Sequence, residues 1–173
     1  MSGHPDWLPQ LITYDAYNGR WDDFIEDVYQ AFCDDFHNNR KPNLKYDNRK
    51  ITSKRSPLVN GKPDSFWHVI SGDINNGSSN GPEVPRCERI KWIRPIIENH
   101  LHEQVLIWEE PEKRGAKTRT LFWLKDHDYL VIIANRTEYS ILWTAYHIEY
   151  PHKRRKLQIR HDEYHKANTA SQG

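Results

Sequence analysis

The chain has 173 residues, of which 36% are hydrophobic and 28% charged, and it carries a formal net charge of +1. Its 7 Trp, 9 Tyr and 5 Phe argue against a disordered chain, and no apolar run reaches the roughly 18–20 residues of a membrane span. The first residues lack the basic start and apolar stretch of a secretory signal, and Cys33 and Cys87 are too few for a disulfide scaffold or a zinc cluster. We therefore expect a soluble, cytoplasmic protein that forms one domain over residues 1–167, followed by a flexible tail at 168–173.

The first half of the chain is predicted to be mainly helical. Residues 21–37 place large apolar side chains at helical spacing, which is typical of an amphipathic helix. Further along, Asp64 opens a short apolar helix, and Pro95 is expected to break or kink the helix that covers 85–93. The other predicted elements are a short strand at 50–54 and a long glycine-rich loop at 71–82.

The second half changes to the pattern of strands. Four segments are short, rich in β-branched and aromatic residues, and separated by connections short enough for hairpins. They cover 104–109, 118–125, 129–135 and 140–149. Pro151 then opens a basic helix. Because helices precede strands, the expected fold is α+β, with N-terminal helices followed by a four-stranded antiparallel sheet and a basic C-terminal helix.

The small net charge hides separate charged blocks. Residues 22–35 carry six acids without a Lys or Arg, whereas 40–55 and 152–156 are strongly basic. A local basic surface attracts a phosphate backbone, although such blocks are also typical of solvated faces. The acidic helix has two interpretations as well: it is a solvated face behind a hydrophobic stripe, or it mimics RNA near the basic surface and moderates binding.

Sequence motifs for nucleotides and metals are missing. The chain has no glycine-rich phosphate-binding loop, no serine-hydrolase elbow and no HExxH sequence. His161 and His165 are four residues apart on a predicted helix, but no cysteine or carboxylate of matching spacing accompanies them. We therefore predict no metal and no other cofactor.

His68 and two arginines are the main candidates for catalysis. His68 lies in a short apolar element, where an imidazole can exchange protons in a partly dry site. Arg86 and Arg89 are three residues apart and are expected to project from one side of a helix. An imidazole beside guanidinium groups suits metal-free cleavage of RNA, in which a 2′-hydroxyl attacks the adjacent phosphate. The alternative is that His68 is a satisfied core histidine.

The last predicted strand adds two hydroxyl groups. Strict alternation places Leu142, Thr144, Tyr146 and Ile148 on one face, and Trp143, Ala145 and His147 on the other. Thr144 and Tyr146 can donate hydrogen bonds to a phosphate or stack a base. The alternative is that both side chains pack against the helices.

Several runs of the sequence resemble a known group of proteins. They are FWHVIS at 66–71, RCERIKWIRPII at 86–97, LFWL at 121–124, and the segment 129–164, which contains TAYHIEYPHKRRKL. These runs are similar to phage- and plasmid-associated toxin-like proteins grouped with barnase, EndoU, colicin RNases and RelE, the BECR fold. The resemblance covers residues 60–165 and implies N-terminal helices before a four-stranded antiparallel sheet. Residues 1–59 are then a helical extension without a clear counterpart.

The resemblance also implies a metal-independent endoribonuclease. We predict the toxin of a toxin–antitoxin or phage-conflict system, with RNA as its substrate and an antitoxin protein as its partner. Carried over by position, the family's pattern falls on His68, Arg86 or Arg89, and Thr144 with Tyr146. The predicted RNA-binding residues are Lys91, His152, Lys153, Arg154, Arg155 and Lys156. Two alternatives are a non-catalytic RNA-binding module on the same fold and a structural or interaction protein whose aromatic residues are all core.

Overall fold

The computed structural model describes residues 3–72 and 81–171, in which helices cover both faces of a β-sheet. The helices are α1 (Trp21–Phe36), α2 (Asp64–Ser71), α3 (Val84–Glu88), α4 (Ile93–Glu98) and α5 (Pro151–Ala170). The strands are β1 (Lys45–Tyr46), β2 (Arg49–Thr52), β3 (Leu58–Val59), β4 (Lys62–Pro63), β5 (Val105–Pro111), β6 (Thr118–Leu124), β7 (Tyr129–Asn135) and β8 (Tyr139–His147). Short 3-10 turns cover Tyr14–Tyr17, Ile90–Trp92 and Lys125–His127. The predicted α+β class is confirmed.

The four predicted strands form an antiparallel meander, β5–β6–β7–β8, as their short connections indicated. The prediction of a four-stranded sheet was nevertheless wrong, because the sheet has six strands in the order β1-β2-β8-β7-β6-β5. Strand β2 pairs in parallel with β8, with Ile51 opposite Ser140, and β1 pairs with β2 in an antiparallel ladder. Strand β2 has only four residues and its partner lies far along the chain, so hydrophobic periodicity carried no signal of this pairing.

Each face of the sheet has its own hydrophobic core. Alternation along β6 sends Phe122 and Leu124 to the larger core, beneath α1, α2 and α4. The same alternation sends Trp123 to a smaller core on the opposite face, where Leu157 of α5 packs. The sheet therefore separates the α1 layer from the α5 layer.

Residues 1–59 are part of the larger core. Helix α1 is confirmed, and its Phe24, Val28 and Phe32 are completely buried. Replacing one fully buried Phe by Ala typically costs about 3–5 kcal/mol. The N-terminal segment thus contributes a core helix and two strands of the main sheet, rather than a helical extension beside a complete unit.

The remaining helices differ from expectation mainly at their ends. Helix α2 begins at Asp64 and α5 at Pro151, as predicted. The break near the third helix lies at Arg89, with φ −99° and ψ 11°, and not at Pro95. Pro95 lies in the first turn of α4, where the missing N–H has no helical partner to lose.

Helix α5 also reaches further than predicted. It continues to Ala170, where a flexible tail from residue 168 was expected, and Asn168 and Thr169 hydrogen-bond to carbonyls one turn earlier. The predicted glycine-rich loop at 71–82 falls largely on 73–80, which lie outside the described residues. Within the described ranges, no helix combines the length and the apolarity needed to cross a membrane.

Candidate functional site

A β-bulge in β8 determines which side chains reach each face. Ile132 of β7 pairs with Thr144, but the next residue of β7 pairs with Leu142, so Trp143 is the extra residue. The bulge shifts the alternation by one position, and Leu142 therefore points into the larger core together with Ala145. The prediction that Leu142 shares a face with Thr144 was wrong for this reason.

The half of β8 beyond the bulge borders a cavity of about 410 Å³, which we call the arginine groove. Strand β2 pairs with β8 only as far as Ile141, so side chains from α3 can approach the groove past the free edge of β8. Four cationic side chains line the groove together with three carboxylates and His147. The cations are Arg86, Arg119, Lys153 and Arg160, and the carboxylates are Glu83, Glu110 and Glu149.

Arg119 is the groove arginine without a hydrogen bond or ion pair among the described residues, although its charge acts on the nearby Glu110 and lowers the pKa of that carboxyl. It extends from β6 on the α5 face of the sheet, beside Ala134 of β7 and opposite Glu110 of β5. Its Nε is buried without a hydrogen-bond partner, and its guanidinium forms no ion pair within 4.0 Å among the described residues. A partly buried guanidinium that lacks an acceptor is suited to bind an anion. Nothing in the sequence distinguished Arg119 from the other arginines, because a single arginine in a strand has no spacing signal.

Arg160 and Glu110 join α5 to β5 at the side of the groove. Arg160 donates two hydrogen bonds to the Glu110 carboxylate, each 2.5 Å long. Burial raises the pKa of Glu110, but hydrogen bonds from Arg160 and Trp108 outweigh it and lower the pKa below its usual value. The hydrogen bond with Glu110 raises the pKa of Arg160. The pair is therefore ionised and fixes the position of a second guanidinium in the groove.

Arg86 reaches the groove, but much of its hydrogen-bonding capacity is used within the fold. Its Nε donates to Glu83 at 2.6 Å, and its Nη1 donates to the carbonyls of Ala145 at 3.3 Å and Val69 at 3.5 Å. The guanidinium carbon lies 5.2 Å from the centre of the Tyr146 ring. Arg86 thus ties α2 and α3 to the edge of β8, and it supports Tyr146 from one side.

Gly72 gives the Arg86 side chain its room. A Cβ atom at position 72 would lie 2.8 Å from Nη2 of Arg86, and Gly72 has a φ of +76°, which disfavours other residues. Both the backbone conformation and the space that the Arg86 side chain occupies therefore favour glycine at position 72.

The structure brings together four of the predicted site residues. Thr144 and Tyr146 share one face of β8, as predicted; this face is turned to α5, and both residues line the groove with Arg86 and Lys153. Both hydroxyl residues are half-buried, and Tyr146 also packs against the smaller core. The arrangement places two hydroxyl-bearing side chains beside arginines on one surface.

His147 is a groove residue without a predicted role. Burial lowers its pKa and the charge of Arg89 lowers it further, while Asp128 and Glu149 act in the opposite direction. Its Nδ1 is buried without a hydrogen-bond partner among the described residues. The lowered pKa favours the neutral imidazole near neutral pH, and a neutral imidazole can accept a proton. The sequence offered no reason to prefer it to the other nine histidines.

His68 lies outside the arginine groove. It borders a separate cavity of about 210 Å³, together with Ser65, Arg136 and Trp143. The His68 ring meets the Trp143 ring edge-on, with centroids 6.4 Å apart. Since Trp143 lines both cavities, the indole separates His68 from Arg86 and the groove.

Arg89 and Lys91 also lie away from the groove. Arg89 follows the end of α3, so the helical spacing that was to align it with Arg86 does not apply. It donates to the carbonyl of Pro85 at 3.0 Å and lies over the Trp92 ring, and burial lowers its pKa. Lys91 is exposed and borders a cavity beside α1, together with acidic side chains such as Asp34.

The basic block occupies the first two turns of α5. Its members are His152, Lys153, Arg154, Arg155 and Lys156, and all except the half-buried Arg154 are exposed. Arg154 donates to the carbonyl of Lys125 at 3.0 Å and forms an ion pair with Asp128 at 3.3 Å. Lys153 is the residue of this block that lines the groove. Its ammonium lies 5.4 Å from the centre of the Tyr150 ring.

The acidic helix α1 lies on the opposite face of the sheet from the arginine groove. Its buried side chains belong to the larger core, whereas Thr144, Tyr146 and Arg119 face α5. Asp35 is the buried acid of α1, and burial raises its pKa although Lys41 pairs with it. The position of α1 supports the interpretation as a solvated face over a hydrophobic stripe.

Comparisons with known proteins give no relative. No family model, no curated protein and no solved structure matches the chain. The resemblance to the BECR group therefore stays a prediction. Within the described residues, no three His, Cys, Asp or Glu side chains cluster in a way that could hold a metal ion.

Proposed function

We propose that the protein is an endoribonuclease that binds RNA in the arginine groove and cleaves it without a metal. The observation that carries the proposal is the Arg119 guanidinium, which has no described hydrogen-bond or ion-pair partner and shares its cavity with Thr144, Tyr146 and His147. Phosphate groups are bound in proteins by such guanidinium and hydroxyl donors. Lys153 extends the positive charge along α5, where a backbone phosphate of the same strand would follow.

The cleavage step follows from the chemistry of these groups. The 2′-oxygen forms a bond to the adjacent phosphorus as His147 takes its proton, and the bond from phosphorus to the 5′-oxygen breaks. The departing oxygen takes a proton from the Tyr146 hydroxyl. Tyr146 then regains a proton from water, and the hydroxide that remains takes the proton held by His147, so both side chains return to their starting state. Arg119 and Arg160 stabilise the negative charge that develops on the phosphate oxygens. The products are a 2′,3′-cyclic phosphate end and a 5′-hydroxyl end.

Position favours His147 over His68 as the proton acceptor. His147 lines the groove with Arg119, whereas His68 lies across the Trp143 ring from it. Replacing His147 by Gln should therefore reduce cleavage by about 100-fold or more, within the range of general acid–base catalysis. His68→Gln should leave the cleavage rate at a saturating RNA concentration within about twofold of wild type. A roughly 100-fold loss of rate is expected only for a residue that transfers a proton in the reaction, and His68 transfers none.

The central test measures RNA cleavage by the purified protein in EDTA. Wild type should convert a single-stranded RNA to fragments with cyclic phosphate ends, and a strand with 2′-deoxyriboses should bind without being cut. Arg119→Gln should weaken binding roughly 10-fold or more, because a charge-assisted hydrogen bond contributes about 1.5–3 kcal/mol. Arg114→Gln, an exposed arginine in the β5–β6 connection, is the matched control. Intact RNA after incubation with wild type would exclude the enzyme.

A non-catalytic RNA-binding module is the second candidate. The observation that favours it is that Arg86 forms an ion pair with Glu83 and Arg160 with Glu110. These ion pairs leave fewer N–H groups that could donate hydrogen bonds to the phosphate in a transition state. This candidate predicts salt-dependent binding of RNA that weakens with Arg119→Gln, and no cleavage products.

The biological role that we propose is that of a cytoplasmic toxin in a toxin–antitoxin or phage-conflict system. Expression of wild type should arrest growth, and His147→Gln should relieve the arrest if cleavage causes it. An acidic antitoxin protein that covers the groove should restore growth, because a negative partner complements the surface formed by Lys153 and the arginines. Equal toxicity of wild type and His147→Gln would contradict a catalytic toxin.

A further inference from the structure

The cavity beside His68 is distinct from the arginine groove and has a different composition. Leu142, Pro57 and the Trp143 indole give it apolar walls, while His68 and Ser65 add polar groups. Its volume of about 210 Å³ is below the roughly 300–1,000 Å³ of pockets that hold whole small molecules. We call it the indole pocket, and its size suits one flat ring system.

Trp143 is positioned for contact with a ligand. It is the extra residue of the β8 bulge, and 44% of it is exposed, whereas the other six tryptophans of the chain are buried or half-buried. An exposed indole does not contribute the stabilisation that burial of its apolar surface would give. Stability of the fold therefore does not explain the position of Trp143. The bulge directs the ring to the boundary between the two cavities, where it lines both.

The polar groups of the pocket differ in their availability. Arg136 donates to Glu112 and to the carbonyl of Asn135, and Ser65 donates to the carbonyl of Lys54. The His68 side chain is half-buried and forms no hydrogen bond among the described residues. Its ring nitrogens can pair with the edge of a ligand, and the exposed Lys54 and Asp64 also line the pocket and add one charge of each sign.

We propose that the indole pocket receives one base of a single-stranded RNA whose neighbouring phosphate lies in the arginine groove. The base stacks on Trp143, and His68 hydrogen-bonds to its polar edge. This proposal rests on the proposed function, since it places the base next to the phosphate that Arg119 binds. It assigns His68 to recognition of the base and gives the two adjacent cavities one continuous ligand.

The test compares RNA with and without bases. One probe is a single-stranded oligouridine of about ten nucleotides, within the roughly 4–16 that a small domain covers, and the other is an abasic ribose-phosphate chain of equal length. Wild type should bind oligouridine more tightly than the abasic chain. Trp143→Ala should remove roughly 10-fold of the affinity for oligouridine, as expected for one lost stacking contact, and leave the abasic chain unchanged.

Two further variants sharpen the result. Tyr139→Ala removes an exposed aromatic residue from the other end of β8, outside both cavities, and should change neither affinity. His68→Gln should alter the order of affinities for oligomers of U, C, A and G while keeping the preference over the abasic chain.

The outcomes separate this proposal from the proposed function. If wild type binds neither probe, the proposed function fails, and the base pocket fails with it. If wild type binds both probes and Trp143→Ala lowers the two affinities equally or lowers neither, RNA binding stands and the base pocket is overturned.

Discussion

Glu110 accepts two hydrogen bonds from Arg160 and lies opposite Arg119 in the ladder between β5 and β6. One carboxylate therefore fixes α5 to the sheet and faces the guanidinium that is available for an anion. In the same position Glu110 opposes the binding of a phosphate to Arg119, because the negative charge of its carboxylate repels the negative charge of the phosphate.

Replacing Glu110 by Gln should separate these two effects. RNA affinity should rise about fivefold, since a like charge a few ångströms away in a partly wet site costs about 1 kcal/mol. The free energy of unfolding should fall by about 1 kcal/mol, because the ionised pair with Arg160 is lost. Binding titrations and urea unfolding measure the two quantities. Glu109→Gln makes the same charge change on the other face of β5 and should leave RNA affinity unchanged.

Two lysines of α5 should contribute unequally to RNA binding. Lys153 lines the arginine groove, whereas Lys156 is exposed on the same helix outside it. Lys153→Gln should weaken RNA binding and reduce the slope of log affinity against log salt concentration by about one, as expected for one lost phosphate contact. Lys156→Gln should have a smaller effect on both quantities. Equal effects would indicate diffuse attraction to the whole basic block and no defined path through the groove.

A fragment of residues 60–173 should not fold. It lacks α1, whose Phe24 and Phe32 are fully buried, and it lacks β2, which pairs with β8. Circular dichroism should show no cooperative unfolding transition for the fragment. A chain that begins at Gly3 serves as the control and should unfold cooperatively like wild type. A folded fragment would mean that the second half carries a sufficient core alone.

The sequence was most informative where neighbouring residues determine the structure. The amphipathic helix at 21–36 and the four-stranded meander follow from local periodicity and short connections, and both are present. The pairing of β2 with β8 depends on residues far apart in the chain, and its four residues are too few to show a period. Long-range pairing of this kind has no local signature.

The candidate site was predicted less completely for a related reason. Arg86, Thr144, Tyr146 and Lys153 were selected and do meet, but Arg119 and His147 were not selected. A β-bulge adds one residue without a composition signal, so the exposure of Trp143 could not be anticipated. The alignment of Arg89 with Arg86 failed because α3 ends one residue before Arg89.

The free energy of unfolding should decrease as the pH falls from about 7 to about 5. Burial, with the charge of Arg89, lowers the pKa of His147, and burial, with the charge of Arg55, lowers the pKa of His37. Between each lowered pKa and the unfolded value of about 6.5, the unfolded chain binds more protons than the folded one, so stability rises with pH through that window. Above about 6.5 both histidines are neutral in both states and add no further dependence on pH.

Single variants assign this dependence. His37→Gln and His147→Gln should each flatten the loss of stability between about pH 7 and about pH 5 in urea unfolding. Burial raises the pKa of Asp35, which acts with the opposite sign, so each variant is compared with wild type at every pH. RNA cleavage should share the His147 dependence: because the neutral imidazole accepts the proton, the rate should reach half its maximum below the usual histidine value of about 6.5. A half-maximum above that value would contradict His147 as the base, since its environment lowers its pKa.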